Sequence, residues 1–61
     1  MTQSDKDQCL EILRNLGGSG TIDQIAQRMG IAEDKERVRQ ALDALITLNR
    51  VTNHDDRYWL T

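Results

Sequence analysis

Three times along this chain apolar side chains recur at i, i+3, i+4 and i+7, and no other feature narrows its choice of fold as much. Cys9, Ile12, Leu13 and Leu16 form the first set, and Ile22, Ile25, Ala26 and Met29 the second. Val38, Ala41, Leu42 and Leu45, extended by Leu48, form the third. At about 100° of rotation per residue each set becomes one stripe of an α-helix. A helix with one apolar stripe has to bury it, so the three must pack on each other and on the C-terminal segment. Leu10 falls off the first stripe and is left for the side of the fold that carries the C-terminal segment or for a second chain.

The boundaries are written in the capping residues. Ser4 suits an N-cap, with Asp5 and Asp7 near the positive helix end, and the spacing predicts a first helix from Asp5 to Leu16. Gly17 to Gly20 stops it, because glycine takes the left-handed conformation without strain. Thr21 to Gln24, "TIDQ", has the form of a capping box and opens a second helix that Gly30 ends after barely two turns. The third helix is predicted over Glu33 to Leu48, with Asn49 as its left-handed C-cap.

Beyond Asn49 the period changes. "RVTN" and "RYWL" alternate as strands and bracket "HDD", which predicts a hairpin over about 50–60. Alternation puts Tyr58 and Leu60 on one face and Arg57 and Trp59 on the other, with Val51 and Leu60 as the expected core members. Two such strands are marginal alone, so they are expected to lie on the helices, joined by a short strand near Ser19 to Thr21. The expected fold class is therefore mainly α (α+β): three helices and a small antiparallel sheet.

Size and charge bound the function. With 61 residues there is one domain with one small core, assigned to 5–61 after a polar lead-in at 1–4. The Met start and the stop after the hairpin are compatible with a small complete protein or an excised domain. Eight Lys and Arg against ten Asp and Glu leave a net charge of −2, where nucleic-acid binders usually show a basic excess. A single cysteine, Cys9, and no long apolar run predict a cytoplasmic chain with no membrane segment, in the nucleoid or nucleus if DNA-bound.

The order of elements and several stretches resemble the winged helix-turn-helix superfamily. "TIDQIAQRMGI" is similar to its second helix, "VRQALDALITLNRV" to its third helix running into the first wing strand, and "RYWL" to its closing strand. The resemblance spans roughly Asp7 to Leu60 and rests mostly on residues that build the core. In most of the superfamily it implies a third helix in the major groove and a wing on the backbone or minor groove. Two branches offer closer comparison. The Zα branch is similar in length and in a Trp on the last strand, here Trp59, but Arg39 and Asp43 stand where that family has Asn and Tyr, and its wing prolines are absent. The C-terminal winged helix of the middle subunit of replication protein A binds protein helices, and its acidic wing resembles "NRVTNHDDRYWLT" in character.

The resemblance and the charge pattern support two functional expectations. In the leading one, the domain is a DNA-binding module of a transcription or replication regulator that contacts double-stranded DNA. Lys35, Arg39, Gln40 and Thr47 on helix three would read the duplex, and Arg57 and Trp59 on the wing would add contacts. Over Glu33 to Arg50, four basic residues (Lys35, Arg37, Arg39, Arg50) are cancelled by four acidic ones (Glu33, Asp34, Glu36, Asp43). Affinity would then lean on few phosphates, and dimerisation or a larger chain would be needed to reach useful strength. In the alternative, Asp43, Asp55, Asp56 and Trp59 meet a basic peptide or protein segment, with Trp59 as the anchor.

No cofactor, metal site or catalytic group is expected. His54 reads as an ordinary turn residue without a second His or Cys at ligand spacing, and Cys9 as a small buried hydrophobe. "GGSG" lacks the Lys and the preceding strand of a phosphate loop, so an enzyme is not expected.

Overall fold

The computed structural model describes residues 4–61, so Met1 to Gln3 of the polar lead-in lie outside the described residues. Six elements run in the winged-helix order: α1 (Asp5–Asn15), β1 (Ser19–Gly20), α2 (Ile22–Met29), α3 (Lys35–Thr47), β2 (Val51–His54) and β3 (Arg57–Leu60). The strands form one antiparallel sheet in the order β1-β3-β2. Ser19 lies opposite Trp59, and Val51 opposite Leu60.

Each helix begins on a side-chain cap. Ser4 Oγ accepts from the Asp7 amide at 3.2 Å. Thr21 and Gln24 complete a reciprocal capping box at 3.2 and 3.0 Å. At α3 the start differs from the expected Glu33: Asp34 Oδ1 accepts from the Arg37 amide, so Asp34 is the cap and Lys35 opens the helix. A capping carboxylate satisfies an orphan donor that a glutamate one residue earlier cannot reach.

The helices also end alike. Gly18, Ile31 and Arg50 donate their amides back to Leu13, Ala26 and Leu45. The residue before each, Gly17, Gly30 or Asn49, has positive φ, and its own amide closes the shorter loop. These are three Schellman closures, and Asn49 fills the glycine role at φ 60. The closure shortens the expected helices: Leu16 and Leu48 become C-caps rather than helical residues. For Leu48 this has a further effect. The stripe points it inward, but it stands 57% exposed because the chain turns away before its side chain reaches the core.

The core joins Cys9 and Leu13 of α1, Ile25 and Ala26 of α2, Val38, Ala41, Leu42 and Leu45 of α3, and Val51 and Tyr58 of the sheet. The deeper aromatic on β3 is Tyr58 at 6% exposure, while Leu60 packs half-buried beside it. Gly20 shows how tightly β1 meets α1: a Cβ there would lie 2.8 Å from Leu16 Cδ1.

Between β2 and β3 the hairpin turns in two residues, Asp55 and Asp56, at φ 54 and 61. Positive φ at both central positions of a two-residue loop is the type I′ pattern, whose twist matches that of the strands. β2 is accordingly shifted one residue toward the tip from the expected 50–53, so that His54 pairs with Arg57, while β3 keeps its expected bounds.

Candidate functional site

On α3, the buried stripe of Val38, Leu42 and Leu45 turns Glu36, Gln40, Asp43 and Thr47 outward, and all four are exposed. The cations of this helix are unequally available. Lys35 Nζ is held by Asp23 Oδ1 of α2 at 2.7 Å. Arg37 makes a two-pronged contact with Asp5 of α1, Nε to Oδ2 at 2.7 Å and Nη2 to Oδ1 at 2.9 Å. The guanidinium fork fixes carboxylate geometry as well as charge. Its hydrogen bonds hold the Asp5 carboxyl below its ordinary value of 3.8 and raise the affinity of Arg37 for its proton. Arg39 is exposed and has no hydrogen-bond or ion-pair partner among the described residues. Thr47 Oγ1 donates to the Asp43 carbonyl, a bond back along its own helix.

The wing residues form a second patch. Arg57 and Trp59 project from the sheet face opposite to that of Val51 and Tyr58, so they point away from the core. Trp59 is 42% exposed, and its Nε1 donates to the His54 carbonyl at 3.4 Å. The Arg57 guanidinium sits over the indole at 6.0 Å from the ring centroid and donates to Ser19 Oγ at 3.3 Å. Of the expected reading residues, Lys35, Arg39, Gln40 and Thr47 lie on α3, and Arg57 and Trp59 on the outer face of the sheet. Asp43 belongs with the helix, and Asp55 and Asp56 with the tip, where His54 Nε2 lies 3.3 Å from Asp55 Oδ2.

A third feature has no counterpart in the sequence pattern. Thr21, Ile22, Asp23, Asn53, Asp56 and Tyr58 line a groove of about 330 Å³ between the start of α2 and the wing. Alternation makes Asn53 and Tyr58 cross-strand partners on one face. Nothing local in the sequence, however, brings Asp23 toward Asp56. Another groove, of about 500 Å³, gathers Leu10, Leu45 and Leu48 with Ser4, Lys6, Asp7 and Arg50.

Cys9 is fully buried, with its Sγ 3.9 Å from Met29 Sδ. Burial, aided by the negative charge of Asp5, pushes its thiol up to about 11, the opposite of what a nucleophile requires. Among the described residues, no three His, Cys, Asp or Glu side chains group as metal ligands, and no helix is long and apolar enough to cross a membrane. No protein-family model, curated protein or solved structure matches the chain.

Proposed function

We propose that this winged-helix domain is a protein-interaction module that binds a basic partner segment through its wing. The observation that carries the reading is the distribution of charge. Two cations of α3 are already held by carboxylates of α1 and α2, while both residues of the wing tip are exposed acids. A phosphate backbone approaching α3 would meet Glu36 and Asp43 beside the unpaired Arg39, so little counterion-release energy is available. A cationic peptide meets the opposite field at the tip. Trp59, exposed and held in place by its bond to the His54 carbonyl, suits an anchor that loses little freedom on binding.

A second reading is favoured by one specific feature. The outer face of α3 is uncovered, and Arg39 and Gln40 stand on it side by side in sequence, the residue types that read guanine and adenine. On this reading the domain is a DNA-binding module, as most winged helices are, and dimerisation supplies the affinity that one copy lacks.

Titrating isotope-labelled protein with an arginine–alanine repeat peptide and with a mixed-sequence duplex, each at low and physiological salt, separates the two. The interaction module predicts peptide shifts at Asp55, Asp56 and the Trp59 indole and none with the duplex. Salt-sensitive duplex shifts on α3, weakened roughly tenfold or more by Arg39→Ala, would establish the DNA reader instead.

A further inference from the structure

We propose that the groove between the wing and the start of α2 receives one arginine side chain of the partner's basic segment. The inference rests on the interaction-module reading and locates its charged contact. Tyr58 provides the first argument. Its side chain is 6% exposed, and its hydroxyl makes no hydrogen bond among the described residues. Yet no buried side-chain oxygen or nitrogen is left unsatisfied, so the hydroxyl keeps contact with solvent, and the opening that Tyr58 lines is this groove. A nearly buried phenol whose hydroxyl has no protein partner among the described residues can exchange its contact with water for one with a ligand atom.

Charge identifies that ligand. Asp56 enters the groove from the wing tip and Asp23 from the first turn of α2. Lys35 bonds one oxygen of Asp23, whose side chain remains 72% exposed, so its other oxygen stays accessible. Two carboxylates and one ammonium leave a local charge of −1, which one cation neutralises. An anion is opposed there by the carboxylates of Asp23 and Asp56, and the capping box already uses the Thr21 and Gln24 amides at the start of α2.

The shape favours arginine over lysine. The acceptors are spread around the groove on Asp23, Asn53, Asp56 and Tyr58, and a planar guanidinium with five donors can meet several of them at once. An ammonium is a compact point charge that serves fewer directions. Ile22, half-buried in the wall, offers an apolar surface for the methylene stem.

The test uses acetyl-arginine methylamide as the probe, acetyl-citrulline methylamide as its uncharged isostere, and the labelled protein at low salt. The expected result is saturable shifts of the Ile22, Asp23, Asn53 and Asp56 amides and of the Tyr58 ring, with no response to citrulline. Asp56→Asn, which keeps a residue tolerant of positive φ, should weaken binding roughly tenfold, and Tyr58→Phe roughly threefold, with both variants keeping native spectral dispersion. No arginine shifts, equal shifts with citrulline, or affinities unchanged in both variants would overturn the proposal. So would a duplex that moves the same resonances. If the arginine–alanine peptide binds with shifts confined to the Trp59 face and indifferent to Asp56→Asn, the groove fails and the interaction module stands. If the arginine probe fills the groove and the peptide still does not bind, the module reading fails instead.

Discussion

Gly17–Gly18 and Asp55–Asp56 carry the backbone through the same left-handed region with opposite chemistry. Gly17 and Gly18 take φ 91 and 103 where a Cβ would meet nothing within 4 Å. The backbone alone explains glycine there, because an L side chain would be strained even in open space. At the wing tip two aspartates hold φ 54 and 61. Aspartate tolerates this region better than most residues, but Asn-Gly is the pair that a type I′ turn prefers. The glycine loop therefore carries the residues its geometry prefers, and the wing keeps two carboxylates where the backbone would settle more easily without them. The charge of the tip is not a by-product of the turn, which agrees with its proposed use.

Substitutions can test this contrast. The largest effect is expected at Gly20, next to the glycine loop, where space rather than φ is limiting. Gly20→Ala would push against Leu16 Cδ1 at 2.8 Å and Gln24 Oε1 at 3.3 Å and should lower stability by about 2 kcal/mol in chemical denaturation. A neutral result would mean that the ends of the Leu16 and Gln24 side chains move aside easily. Next comes the tip: replacing Asp55–Asp56 by Asn-Gly should stabilise the fold by about 1 kcal/mol while reducing affinity for the arginine–alanine peptide. A fall in stability would show that the tip is not strained and remove its half of the contrast. Gly17→Ala is expected to cost about 1 kcal/mol, since only conformation opposes it.

The smallest effect concerns the ion pairs. The Arg37 fork holds Asp5 below its ordinary 3.8, so the carboxylate contributes stability that is complete above that value and lost as pH falls through the lowered one. Melting temperatures of the native chain and Asp5→Asn should therefore differ near neutral pH and converge only below 3.8, as pH falls through the lowered value. Asp23→Asn, which breaks a pair between two well-exposed side chains, should shift the melting temperature less at every pH. If the two variants behave alike, the fork has no advantage over the single contact.

Much of the fold is legible in the sequence because its signals act over a few residues. Ser4, Thr21 and Gln24 cap within one turn, Gly17, Gly30 and Asn49 close helices within the next, and the change of period at Arg50 announces the hairpin. Sequence and structure part at the element ends. Periodicity admits Glu33 to α3, although Asp34 is the better cap, and it extends the core stripe to Leu48, one step past the closing turn. Of the candidate site, the outward positions of Gln40, Asp43 and Thr47 and the split between Tyr58 and Trp59 follow from helical and strand period.

Where helices start and stop, which faces are apolar, and that the hairpin tip is acidic are all properties of the bare chain, since each depends on neighbours within about one turn or one strand pair. The long-range partners are a matter of packing. Arg37 finds Asp5 across 32 positions, and Lys35 finds Asp23 on the neighbouring helix, because the packing of the helices sets which shoulders face each other. The same packing brings Asp23, Asp56 and Tyr58 to one groove. Periodicity specifies a direction around one element; the distance between two elements depends on how their side chains fill the space between them.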